Sequence, residues 1–302
     1  MFFLWACSTD GVRRVENYIR IDGSSTVYPI TEAVTELFYE QHKNYKVVVG
    51  VSGTGGGLRK LIRSEIDICN ASRPMNEDER RLIAEAGIEV LELPVALDGI
   101  VIAVNKANDW AQDIKISELQ RLWQTESQGK TIRWSDLRPE WPAIPVILFG
   151  AGPSSGTYDF FTAAVNKKAR SGRGDYAASE NDNILVKGIS GEQAALGYFG
   201  YTYYLESKDA LKVLAVINDR EVGAQAVYPD SSSIRNFSYR PFTRQQYLYI
   251  RIDALQRSAV AEYLVFYLEH VGSLHSSLAF IPLPDAEYRY WQAELAKYLP
   301  KP

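Results

Sequence analysis

Two periods of apolar residues alternate along this chain. Short runs rich in β-branched residues, such as Tyr18 to Asp22 and Tyr45 to Val51, lead into turns of Ser, Thr and Gly, and then into apolar residues at helical spacing. Ile30, Ala33, Val34, Leu37 and Phe38 form one helical face, Leu58, Leu61 and Ile62 a second, and Phe161, Ala164 and Val165 a third. The pattern also predicts a buried strand from Asp67 that ends in a polar turn tipped by Arg73, followed by a helix over 77–86. Strand-like pieces follow at Glu89 to Pro94 and Gly99 to Asn105, separated by Ala96, Leu97 and Asp98, and then a short amphipathic helix at Ser117 to Trp123. Trp134 to Pro145 reads as a connection and Lys167 to Asn183 as an exposed polar excursion. Later come a strand at Leu211 to Ile217, an extended aromatic segment from Phe237 to Ile252, and a helix marked by Ala261, Leu264, Val265 and Leu268. Strands alternating with helices predict α/β domains with mainly parallel sheets, whose ligands sit beyond the carboxyl ends of the strands.

Three of the strand-to-helix turns share one chemistry. They are Gly23-Ser24-Ser25-Thr26, Ser52-Gly53-Thr54-Gly55-Gly56-Gly57 and Ser154-Ser155-Gly156-Thr157. At a helix start the first N–H groups lack intrahelical acceptors and the dipole end is positive, so such turns suit an oxyanion. A single Ser-Gly-Thr is more often an ordinary N-cap; three similar starts in one chain favour a site. The second turn is not a nucleotide P-loop, because no Gly-Lys-Ser/Thr follows its glycines.

Composition narrows the partners. With 302 residues, 46% hydrophobic and 23% charged, the chain is an ordinary soluble globular protein with core enough for two domains. A net charge of -4 and a pI near 5.6, without a basic run, argue against nucleic acid and leave room for one small anion. No apolar run approaches the ~18 residues of a membrane span. Met1 to Ala6 is apolar and ends Leu4-Trp5-Ala6-Cys7, like the end of a bacterial lipoprotein signal, but a secretory leader needs a basic n-region and ~7–15 apolar residues. The alternatives are a lipid anchor on Cys7 and an accidental match. Cys69, in an apolar stretch, reads as a buried small hydrophobe, so neither a disulfide framework nor metal-ligand spacing is expected. Tyr198, Tyr201, Tyr203 and Tyr204 could form an aromatic platform, although packing is the better expectation.

These motifs, with Asn70-Ala-Ser-Arg-Pro74, Asp98-Gly99 and Gly197-Tyr-Phe-Gly200, occur in an order that resembles the phosphate-binding proteins of bacterial ABC phosphate uptake systems, in their cyanobacterial-type branch. The similarity covers about Tyr18 to Ile252. It implies a two-lobed periplasmic-binding-protein fold of type II, with two interleaved α/β domains joined by a two-strand hinge and phosphate sealed in the cleft. Residues 1–17 would be a truncated signal and tether, 18–96 plus 250–302 the first lobe, and 97–249 the second. The resemblance further implies a periplasmic monomer that delivers phosphate to the transmembrane subunits of an ABC permease, needs no cofactor or metal, and touches the membrane only through the anchor on Cys7. By analogy the anion would be held by Ser25, Thr26, Thr54, Ser155, Gly156 and Thr157.

Two positions depart from the better-known relatives. Arg73 stands where those carry an aspartate that accepts the phosphate proton, and Ala151 where they carry an arginine. The expectation is a relocated guanidinium, Arg73, with Asp98 or Asp22 as its partner and as proton acceptor; the alternative is that both aspartates merely cap turns. Sulfate, molybdate or arsenate binding, or a phosphate sensor, is the neighbouring reading. A phosphate-ester hydrolase is the competing class, but Ser52, Ser155 and Ser190 lack a full Gly-x-Ser-x-Gly, and His42, His270 and His275 lie in no catalytic or metal pattern.

Overall fold

The computed structural model describes residues 17–276 and 280–300, so Cys7 and residues 1–16 of the expected tether lie outside the described residues. In chain order the strands are β1 (Tyr18–Gly23), β2 (Lys46–Val49), β3 (Ile68–Ala71), β4 (Val90–Asn105), β5 (Asp113–Lys115), β6 (Ile147–Ala151), β7 (Ala177–Ser179), β8 (Ala195–Gly200), β9 (Leu211–Val213), β10 (Ala215–Ile217), β11 (Ala226–Val227), β12 (Thr243–Arg251) and β13 (Ile281–Pro282). The helices are α1 (Tyr28–Gln41), α2 (Thr54–Ile62), α3 (Glu77–Glu85), α4 (Ile116–Trp123), α5 (Trp134–Leu137), α6 (Gly156–Asn166), α7 (Asp182–Gly191), α8 (Tyr201–Leu205), α9 (Ser231–Arg235), α10 (Ser258–His270) and α11 (Asp285–Ala296).

One curled sheet runs through the molecule in the order β2-β1-β3-β12-β4-β8-β6-β7, with β9 and β13 also pairing β4; β11, β10 and β5 make a small second sheet. Parallel β2, β1 and β3 form a first half and parallel β8, β6 and β7 a second. β4 belongs to both halves. Its residues 90–99 pair with β12 and its residues 100–104 with β8, all antiparallel. The two pieces expected at Glu89 to Pro94 and Gly99 to Asn105 are therefore one strand. Nearly all of it is buried, so it lacks the polar alternation that marks a half-exposed strand.

The chain returns to the first half at Thr243, whose partner is Gly99. Residues 243–245 pair with 97–99 of β4, and Tyr247 to Ile250 also pair with β3 of the first half. From there α10 packs on α1: Tyr263 Oη lies 2.9 Å from Thr35 Oγ1, and the Phe38 and Phe266 rings meet edge to face at 5.3 Å. The expected strand at Leu211 to Ile217 is two strands, because β9 pairs with β4 while β10 pairs with β5. The polar excursion is mostly exposed but contains β7 and the start of α7, with Arg173 and Asp182 buried.

Apolar faces position the donor turns. α6 buries Phe161 and Val165; Phe161 stacks on buried Tyr198 with ring centroids 3.7 Å apart, and Trp123 closes edge-on over both. The tyrosines at 198, 201 and 203 are core residues of the second half, and Tyr204 packs against that core. Cys69 sits fully buried in a separate cluster with Leu58, Leu61 and Tyr249. Because Phe161 carries this aromatic stack, Phe161→Ala is expected to cost about 3–5 kcal/mol. Chemical denaturation of the variant against wild type checks this, and a loss within about 1 kcal/mol would mean that α6 is not anchored here.

Candidate functional site

The first and third Ser/Thr turns meet at a residue that the sequence motifs did not single out, and the second approaches the third. Arg244 on β12 stands directly opposite Asp98 on β4. Its Nε and Nη2 donate to Asp98 Oδ2 at 3.0 and 2.7 Å, and both side chains are almost wholly buried. Nη2 also donates to Thr157 Oγ1 at 2.9 Å and reaches Thr26 Oγ1 at 3.4 Å, so one guanidinium joins the first and third turns. Arg244 Nη1 and Asp98 Oδ1 are buried without a hydrogen-bond partner. An open buried N–H and an open carboxylate oxygen on one ion pair mark a place where a polar ligand would complete the bonding.

The second turn arrives from α2. Gly53 precedes that helix at φ 74, which a side-chain-bearing residue rarely adopts, and Thr54 is fully buried. Thr54 Oγ1 lies 3.3 Å from Ser72 Oγ and accepts from the Ser72 N–H at 3.1 Å. Across the gap is the start of α6, where Ser155 caps the helix by accepting from the Thr157 N–H at 3.1 Å. Gly156 comes so near that a Cβ there would lie 2.5 Å from Thr54 Oγ1 and 2.6 Å from Ser72 Oγ. This residue must be glycine for the backbone to approach those hydroxyls. Further contacts join the two sides: the Gly55 N–H donates to the Ser154 carbonyl at 3.1 Å and Tyr203 Oη donates to the Ser25 carbonyl at 2.8 Å.

Of the expected residues, Thr26, Asp98 and Thr157 gather at Arg244, and Thr54 and Gly156 gather at Ser72; Ser25 and Ser155 hold the two turns. Arg73 does not join them. Its Nη1 and Nη2 donate to the two Glu79 carboxylate oxygens at 2.7 and 2.8 Å, its Nε donates to Asp159 Oδ2 at 2.8 Å, Nη2 lies 2.7 Å from the same oxygen, and Nη1 reaches the Pro74 carbonyl at 3.0 Å. Four of its five N–H groups donate hydrogen bonds, and every guanidinium nitrogen has a carboxylate partner. The expected pairing of Arg73 with Asp98 or Asp22 is also corrected. Asp98 serves Arg244, while Asp22 accepts from Ser52 Oγ at 2.7 Å and pairs with Lys60.

Ser72, Asp182 and Arg244 are the residues that sequence reasoning missed. Asp182 opens α7, is fully buried, and accepts only a long 3.4 Å contact from the Gly200 N–H, with Oδ1 unpartnered. Gly200 in turn touches the Thr26 turn, since a Cβ there would meet Thr26 Cγ2 at 2.6 Å. Burial pushes the Asp182 carboxyl up to about 7, with the Arg244 charge pulling it down and Asp98 and Glu180 adding to the rise. Burial likewise holds Asp98 above its ordinary range against the pull of Arg244 and of the nearby Gly99 and Tyr201 backbone N–H groups.

The serines and histidines of the hydrolase reading are occupied elsewhere. Ser52 donates to Asp22 and Ser190 to the Lys187 carbonyl, while His42 and His270 stack on Phe38 and Phe266 and His275 bonds the Gly272 carbonyl. Among the described residues no helix is long and apolar enough to cross a membrane.

Donors from two α/β halves of one sheet thus come together on one buried ion pair. The PBP superfamily domain matches residues 8–268, and protein SphX of Synechococcus elongatus is 41% identical over 271 residues, covering 89% of this chain and 79% of SphX. Phosphate-binding protein PstS of Staphylococcus saprophyticus is 34% identical over 283 residues, with 93% of this chain and 85% of PstS covered. The crystal structure of a possible phosphate binding protein from Planctomyces limnophilus has a TM-score of 0.69 at 39% identity, covering 94% of this chain and 99% of that one. A putative phosphate ABC transporter substrate-binding protein from Clostridium perfringens, solved with bound phosphate, shares the fold at a TM-score of 0.73 and 22% identity, covering 89% of this chain and 100% of that one. The chain belongs to the PBP superfamily and, within it, to the family of SphX and PstS.

Asp182 gives the site a pH signature. A carboxyl whose folded pKa is raised binds its proton more tightly when folded. Its contribution to stability is therefore fullest in acid and is lost as the pH rises from the ordinary aspartate value near ~4 to the folded value; for Asp182 that upper limit is about 7. Asp182→Asn removes this slope. In thermal unfolding of the ligand-free protein, the variant's midpoint relative to wild type is expected to climb between pH 5 and pH 8; a constant difference would show that Asp182 does not titrate in this window.

Proposed function

We propose that this chain binds inorganic phosphate outside the cytoplasmic membrane, free or tethered through Cys7, and delivers it as a monomer to the transmembrane subunits of an ABC transporter. The observation that carries this reading is the open Nη1 of Arg244 where hydroxyls of Thr26 and Thr157 already converge, in a chain akin to PstS. Its relatives include a protein named for phosphate binding, and a protein of the same fold is a putative phosphate ABC transporter substrate-binding protein.

In this reading the first lobe is 18–96 plus 250–302 and the second 97–249. β4 and the start of β12 are the hinge. The first lobe offers Ser25, Thr26, Thr54 and Ser72, and the second Ser155, Gly156 and Thr157, so only the closed cleft presents the whole donor set to the anion. Arg244 supplies the positive charge in place of Arg73. Asp98 Oδ1 is the acceptor for the proton of hydrogen phosphate. Hydrogen bonds to a charged group contribute roughly 1.5–3 kcal/mol each. Several of them offset dehydration of the anion and still leave the ~8 kcal/mol of a micromolar complex.

Calorimetric titration of phosphate-stripped protein with phosphate, sulfate, molybdate and arsenate tests the reading. One-to-one phosphate binding with sulfate excluded is the expected result; equal sulfate binding would remove the acceptor role of Asp98, and no anion binding would end the proposal. Arg244→Gln is expected to weaken phosphate binding by about 10- to 100-fold.

A further inference from the structure

We propose that Arg73 serves anion binding as a positioning residue: through Asp159 it clamps the first turn of α6 to the turn after β3, and it does not touch the anion. This rests on the phosphate-binding reading for its ligand, but the clamp is visible without one. Arg73 leaves the Ser72-Arg73-Pro74 turn on the first side of the cleft, and Asp159 lies in the first turn of α6 on the second. Their side chains are only 7% and 5% exposed, and Arg73 Nη2 lies 2.7 Å from Asp159 Oδ2. Glu79 locks the far edge of the guanidinium and is itself held by the Asn76 N–H at 2.9 Å, while Arg170 Nε stands 3.3 Å from Asp159 Oδ1. Two cations and two carboxylates thus balance.

The consequence is local and geometric. Ser72 adjoins Arg73, and Gly156 lies one turn before Asp159; the ion pair holds these neighbours at the distance where no Cβ fits between Gly156 and the hydroxyls of Thr54 and Ser72. It also removes an electrostatic penalty. A lone carboxylate in the first turn of α6 would oppose an anion at that helix end, and Arg73 with Arg170 neutralises it. When the cleft opens, Arg73 keeps Glu79 but loses Asp159, so the clamp favours the closed state.

The test is a double-mutant cycle on phosphate binding with wild type, Arg73→Lys, Asp159→Asn and the double variant. Arg73→Lys keeps the charge but not the planar fork. Each single change is expected to weaken binding at least about tenfold, chiefly through faster dissociation, with the double variant no weaker than the worse single. If Arg73 contacted the anion, Asp159→Asn would leave affinity unchanged or tighten it and the two effects would not overlap; that result overturns the proposal. Amide hydrogen exchange of the ligand-free proteins separates a failed clamp from a failed phosphate assignment. Faster exchange at residues 155–159 in both variants supports the clamp even if wild type binds no phosphate, and exchange unchanged both without and with saturating phosphate overturns it.

Discussion

The cleft is built on the buried ion pair between Arg244 and Asp98. Taking both charges out of water is costly, and a pair at this depth is tolerated only when its geometry is good and the remaining donors find acceptors. The register of β12 against β4 meets the first condition by placing the two residues opposite each other on the strands that join the halves. The hydroxyls of Thr26 and Thr157 meet part of the second, each brought by a different strand-turn-helix unit. What remains is the NH2 group of Arg244 Nη1 and one carboxylate oxygen of Asp98, both buried. The same pair therefore holds the crossing strands together and leaves the incomplete bonding that an anion can fill.

Two buried arginines divide the work. Arg73 is held by Glu79, Asp159 and a carbonyl, so adding an anion beside it would require breaking a charge-assisted bond. Arg244 is held by a single carboxylate and two hydroxyls, neutral groups that can turn toward an incoming oxyanion. Because both arginines are buried, burial does not distinguish a structural guanidinium from a recognising one. The count of N–H groups against acceptors does.

The strand-turn-helix units were legible because period and turn chemistry agree at each: Ser24 to Thr26, Gly53 to Gly57 and Ser155 to Thr157 all open helices where the pattern placed them. β4 was read as two pieces because Asp98 interrupts an apolar run, and only its partner on β12 explains a charge there. Arg244 was passed over for the complementary reason. It stands among other polar residues, Thr243, Gln245 and Gln246, at the start of β12, and its significance depends on Asp98, a residue far away in sequence. Arg73 is conspicuous in sequence, at the tip of a turn in a motif, and so draws the charge role proposed for Arg244. Asp182 sat in a stretch whose composition is that of an exposed loop; its burial follows from the packing of α7 beneath β8, which no local pattern encodes. α11 was not anticipated at all, since few of its residues are buried.

Charge balance decides how such a cleft can accept an anion. Arg244 and Asp98 cancel, and the Arg73, Arg170, Glu79 and Asp159 cluster cancels as well. In the proposed reading the Arg244 guanidinium is therefore helped by dipoles: the N–H groups at the starts of α2 and α6 and the hydroxyls of Thr26, Thr54, Ser72 and Thr157. Oriented dipoles in a water-poor site favour an anion without a net positive charge, which suits a protein whose overall charge is -4. Asp182 is then the group that can disturb the balance. Protonated, it is a neutral neighbour of the cleft; ionised, it would set a second carboxylate against the ligand beside an arginine already committed to Asp98. Burial, by lifting its pKa to about 7, keeps that charge out of the cleft on the acid side of neutrality.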